Sequence, residues 1–135
     1  MAQAPLPNGA GGYQIGDGNV GEAQLFVQGA PTALTADATL TAAQLANGLF
    51  TSDTSADITA TLPTVADLEA GIPNATKVNA AFEFAIVVVD AAYQVTVATA
   101  TGWTLVGNMV ALESTSARFL ARKTGVGTWS LYRVA

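Results

Sequence analysis

The stretch FEFAIVVV, Phe82 to Val89, limits what this chain can fold into more than any other. Apart from Glu83 and Ala85, every residue in it is aromatic or β-branched, the types that fit a pleated surface and lose rotamer freedom in a helix. A run this apolar reads as a central strand covered on both faces. Its longest uninterrupted apolar part, Ala85 to Val89, is far short of the roughly 20 residues that a membrane-spanning helix needs. The chain must therefore build a sheet around this segment.

Other segments supply partners for it. Ile58, Ala60 and Leu62 alternate with Thr59 and Thr61, which predicts a strand with one wet face, ended by Pro63. Asp90 to Tyr93 form a turn, after which Gln94 to Thr101 return with Val95 and Val97 on one face. Gly102 interrupts the run; Trp103, Leu105 and Val106 lead towards a further strand, Met109 to Leu112. The C-terminal stretch reads as a hairpin: RFLARKT, then Gly125-Val126-Gly127, then TWSLYRV. Both glycines are expected to supply the positive φ angles of a tight loop.

Two segments break the β pattern in the same way. TAAQLANGL (Thr41 to Leu49) and TVADLEAGI (Thr64 to Ile72) align at an offset of 23 residues. In each, a threonine N-cap faces the amide three residues on, where Gln44 completes a capping box and Asp67 is a shorter substitute. Leu45 and Leu68 point inward, and Gly48 and Gly71 are expected to end the helices in the left-handed conformation. Helices of about two turns are marginal alone and depend on packing. Two copies do not make a solenoid, so the pattern reads as one connection geometry used twice between strands. Residues 1–30, rich in Gly, Pro, Asn and Gln, read as an extended arm with one short strand, Ala23 to Gln28. Residues 31–135 read as a β-rich body.

Composition then bears on function. The chain has no cysteine and no histidine, which removes disulfides, thiolate sites and the commonest general base and metal ligand. Charged residues make up 11% of it, against roughly 25% in an average domain. Alanine (27) and threonine (17) dominate. A small, neutral surface of this kind loses little hydration when covered, which points to a protein packed against others. Residues 1–76 carry seven acids and no base, whereas residues 77–135 carry a net +2. A net charge of −5 argues against nucleic acid, whose recognition needs clustered Lys and Arg. The N-terminal MAQAPLPNGAGG has neither the basic nor the apolar region of a secretory signal. Without such a signal, the Asn74-Ala75-Thr76 glycosylation sequon carries no weight.

No motif makes a convincing reactive centre. GDGNVG, Gly16 to Gly21, fits G-x-G-x-x-G, but neither a preceding strand nor a following helical pattern supports a phosphate cradle. Asp53 and Asp57 have no calcium-loop spacing and read as solvated acids. Glu83 could act as an acid only if buried in a cleft beside a second acid; it is expected on the less covered face or paired with a hairpin arginine. Trp103, Trp129 and Tyr132 could form a sugar-stacking platform if exposed and coplanar, but large aromatics belong first to the core.

The order GDGNVGEAQL, TLTAAQLANGLFT, TLPTVADLEAGIPNA, FEFAIVVVDA, VTVATATGWTLVG and SARFLARKTGVGTWSLYRVA resembles small virion structural proteins of tailed bacteriophages, the head decoration or cement class. The resemblance runs from about residue 13 to the C-terminus, with GWTLVG and ARKTG-x-G-TW-x-LYR its most specific parts. It implies a β-rich protomer, trimeric, clamping major capsid subunits on the outer face of the virion shell, with no catalytic residue, metal or cofactor and no membrane. The expected fold is all-β: an antiparallel β-sandwich or jelly-roll-like domain with two short helices in its connections and an extended N-terminal arm. Candidate capsid and subunit contacts are Tyr13, Ile15, Leu25, Phe26, Arg118, Arg122, Lys123 and Arg133. The alternative is a fibre-tip or adhesin module that binds host glycans.

Overall fold

A computed structural model describes residues 25–135. The chain is β-rich with two short helices, as expected, but its wiring differs from the expectation. In chain order the elements are β1 (Thr32–Leu34), β2 (Ala38–Thr39), α1 (Ala42–Asn47), β3 (Leu49–Ser52), β4 (Ile58–Thr61), α2 (Val65–Gly71), β5 (Ala81–Val88), β6 (Val95–Ala98), β7 (Trp103–Val106), β8 (Val110–Ala111), β9 (Ser116–Gly125) and β10 (Thr128–Arg133). They form a six-stranded sheet, β1-β3-β5-β9-β10-β7, and a four-stranded sheet, β2-β4-β6-β8.

From β1 to β8 the chain changes sheet at every strand. Successive passes stack parallel: β1 on β3 on β5 in the larger sheet, and β2 on β4 on β6 in the smaller. The first half is thus a short coil whose repeating unit is a strand in one sheet, a strand in the other and a link back. α1 and α2 are the first two links, so the duplicated device does join strands. Antiparallel pairing is confined to β5–β9, β9–β10 and β6–β8, while β7 joins β10 in parallel. The all-antiparallel wiring of a jelly roll is therefore corrected. Gln94 to Thr101 does not return beside β5 either; β6 lies in the other sheet. The physical reason is that links of about two turns are long enough to carry the chain across between sheets, which a tight hairpin cannot do.

Aspartates extend the parallel ladders. Asp37, just before β2, accepts at Oδ1 from the Thr59 amide at 2.8 Å, and Asp57, just before β4, accepts from the Gln94 amide at 3.0 Å. Each carboxylate thus satisfies the amide opposite it in the next turn of the coil. At the other end of these strands, the Leu40 amide donates to Thr61 O and the Leu62 amide to Ala98 O.

The helices follow their caps. The Thr41 hydroxyl accepts from the Gln44 amide at 3.2 Å, and the Gln44 side chain accepts from the Thr41 amide at 3.0 Å. In α2 the Thr64 hydroxyl accepts from the Asp67 amide at 3.2 Å. Leu45 and Leu68 are fully buried, each burial contributing about 1.5–3 kcal/mol. Gly48 adopts the expected positive φ of 79°. Gly71 does not: Ile72 caps α2 with φ −127°, and Gly71 instead lies where a Cβ would meet Ala42 Cβ at 2.3 Å. It is a close-approach glycine between stacked helices.

One apolar core joins both sheets and both helices, with Phe50, Phe84, Phe119, Trp129, Leu62 and Val95 among its fully buried members. Phe84 stacks on Phe119 at 5.2 Å and meets Phe50 edge-on at 5.9 Å. β5 is central by pairing but covered on one face only: Phe84, Ile86 and Val88 are buried, whereas Glu83 and Val87 are exposed. Leu25 to Gln28 form no strand. Val126 and Gly127 are the hairpin loop, and of the two hairpin glycines only Gly127 has a positive φ, 70°.

Candidate functional site

Because strands alternate their side chains, the register fixes which residues share the outer face of the six-stranded sheet. On β5 these are Ala81, Glu83, Ala85 and Val87; opposite them on β9 stand Arg122, Leu120, Arg118 and Ser116. β3 adds Leu49 and Thr51, β10 adds Ser130 and Tyr132, and β7 adds Thr104 and Val106. Leu49, Ala85, Leu120 and Tyr132 are half-buried, and Val106 is 45% exposed. Among these residues Glu83, Arg118 and Arg122 carry the charges, a net of +1.

A groove of about 360 Å³ runs along one side of this face, between Phe26 and Val27 of the arm and Leu49, Glu83, Ala85 and Arg118 of the sheet. Asn47 pins the arm there. Gln28 Nε2 donates to Asn47 O at 2.7 Å, and Asn47 Nδ2 donates to Ala30 O at 2.9 Å. Phe26 is 83% exposed and Leu25 82%. Tyr13 and Ile15 lie outside the described residues, as does the GDGNVG motif.

The four basic residues of the C-terminal stretch separate into different roles. Arg118 is exposed, and its guanidinium has no partner among the described residues. Arg122 donates from Nη1 to Asn79 Oδ1 and from Nη2 to the Tyr132 hydroxyl, both at 2.9 Å. This second bond is the main reason the Tyr132 hydroxyl titrates below its usual range; a bond with Ser130 adds to the effect and burial opposes it. Lys123 points inward from the rim of the core and pairs with Glu69 of α2. Arg133 donates to the Asn108 and Val110 carbonyls at 3.1 and 2.8 Å, tying the β7–β8 connection to β10. Among the described residues, Arg118 is thus the one of the four whose guanidinium has no partner, while the other three bond within the fold.

The remaining candidates resolve on burial. Trp103 and Trp129 are core residues, 8% and 1% exposed, so they offer no platform for a sugar. Glu83 is exposed beside the groove, paired among the described residues neither with a second acid nor with an arginine. Asp57 is exposed, as a solvated acid would be, and also caps a ladder; among the described residues no three acids gather into a metal-binding group. The sequence reading missed this role for Asp37 and Asp57, although each directly precedes a strand at a spacing of 20. It also missed Leu49, Val87 and Val106, whose common face depends on sheet order and not on local pattern. The chain matches no protein-family model, no curated protein and no solved structure.

Proposed function

We propose that this protein is a structural subunit of a virion, a decoration or cement protein that binds the outer surface of a tailed-phage capsid. The observation that carries the reading is the outer face of the six-stranded sheet, with its small and apolar side chains, few charges and an Arg118 whose guanidinium has no partner among the described residues. Covering such a face strips water from few ions, so protein surface can lie against it with little desolvation cost. An exposed patch of small and apolar side chains is characteristic of protein contact sites. Weak contacts repeated over a lattice then add up to firm attachment. In this reading the two sheets, which share one core, are the layers of a sandwich, the protomer is a homotrimer, and Arg118 meets acidic groups of a neighbour. The burial of Trp103 and Trp129 leaves the glycan-binding alternative with the half-buried Tyr132 alone of its three rings.

Co-sedimentation with empty capsids tests the proposal. The native protein should pellet with the shells, and Val87→Glu, which puts a carboxylate on the outer face, should weaken attachment at least about tenfold by leaving a charge desolvated at the contact. The substitution alters an exposed position and should leave the body folded. Native protein that stays in the supernatant, or a Val87→Glu variant that attaches normally, would contradict the proposal.

A further inference from the structure

The antiparallel pair β5–β9 has two ends, and each exposes apolar side chains in a different electrostatic setting. Where β5 stops and β9 begins, Val89, Tyr93 and Leu112 are exposed. Backbone bonds gather them. The Val88 amide donates to Thr115 O and the Ser114 amide to Asp90 O, which joins the turn after β5 to the turn before β9. The Val89 amide donates to Ser52 O, which brings Asp53 alongside. Asp57 and Asp90 cap amides of the turn and of Gln94 at this end, while Asp53 and Glu113 are exposed and have no partner among the described residues. These four acids make the end strongly negative.

At the other end the β9–β10 hairpin presents Val126, 98% exposed, between two glycines. The Asn79 amide donates to Lys123 O and the Lys123 amide to Ala80 O, so the turn of residues 77–79 lies at the hairpin end of β9. That turn exposes Val78 and Lys77. The start of α2 lies here too, since the Val65 amide donates to Thr101 O beside Gly102. The charges at this end are Asp67, Glu69, Lys77, Arg122 and Lys123, two acids and three bases, a net of +1. Lys123 is paired with Glu69 and Arg122 with Asn79, whereas Lys77 has no partner among the described residues.

We propose that copies of this chain associate head to tail, the acidic end of one seated on the hairpin end of the next. Val126 and Val78 pack against Val89, Tyr93 and Leu112, and Lys77 meets the acids at the rim. The occupant is a second copy because one chain displays both halves of the match: exposed apolar side chains at each end, with opposite net charge around them. Such charge complementarity orients the encounter and opposes contacts between like ends. A contact between two different patches is heterologous, and it closes into a ring when the rotation between copies permits. The inference rests on the homotrimer of the proposed function and names the surfaces by which three copies close; it leaves the outer face of the larger sheet to the capsid.

Complementary variants test it by sedimentation equilibrium. Leu112→Asp spoils the acidic end and Val126→Asp the hairpin end, both at exposed side chains; Val89→Asp and Val78→Asp are the second variants of each end should the first fail to fold. Each variant alone should be a single copy where the native chain is a trimer. Mixed one to one, they should form a pair of twice the 13.7 kDa chain mass, because one intact acidic end and one intact hairpin end remain. Lys77→Glu should weaken association of the otherwise native chain at least about tenfold. Folded variants that stay trimeric, or a mixture that stays single-copy at the highest concentration, overturn the inference and leave the homotrimer to another contact. A native chain that is a single copy throughout overturns both, whereas capsid attachment is read separately by co-sedimentation.

Discussion

Trp103 and Trp129 lie 5.9 Å apart in the core and differ in one respect that a substitution can read. The Trp103 indole donates from Nε1 to Pro63 O at 2.8 Å, tying β7 to the end of β4. The Trp129 Nε1 is buried with no partner among the described residues. A buried hydrogen bond contributes about 1 kcal/mol net, and an unpaired buried donor is a cost that its removal relieves. Trp103→Phe should therefore destabilise by about 1 kcal/mol more than Trp129→Phe, since both lose similar ring volume. Denaturant unfolding of the two variants measures the difference, and equal losses would contradict this account. The same scale explains why the separate bonding of the basic residues was not legible in the sequence. Their spacing along β9 and β10 told which face each occupies, but not that Asn79, Glu69 and the β7–β8 carbonyls come from remote parts of the chain to meet three of them.

Between elements, the stacking of α1 on α2 rests on Gly71 and Ala42. A methyl at position 71 would overlap the Ala42 Cβ, which has no rotamer to move away. Gly71→Ala should cost about 1–3 kcal/mol by overpacking, despite the better helix propensity of alanine. Adding Ala42→Gly restores the space, so the double variant should lose less than the two single losses together. A full double-mutant cycle by denaturant unfolding checks this; additive losses would mean that the two residues do not press on each other. The helices themselves were legible, because caps and buried leucines are local signals. The difference between Gly48 and Gly71 was not. The first glycine serves its own helix through backbone conformation, and the second serves a neighbouring helix 29 positions away from its contact residue in sequence.

At the scale of the whole molecule, strand content could be read and strand order could not. Alternation in Ile58–Thr61 or Val95–Ala98 shows one face wet and one dry, whichever sheet the strand joins. The repeat at an offset of 23 did carry the coil, since each copy returns the chain from the smaller sheet to the larger. The continuous run at Phe82–Val89 promised cover on both faces, yet Val87 is exposed and Val89 is 59% exposed. The proposed contact with a neighbour rests on that discrepancy. If few charges and an uncovered face mean that copies of this chain associate, mass in dilute solution decides it most directly. Sedimentation equilibrium across a wide concentration range should give three times the 13.7 kDa chain mass. A single compact copy persisting at the highest concentration would contradict the account.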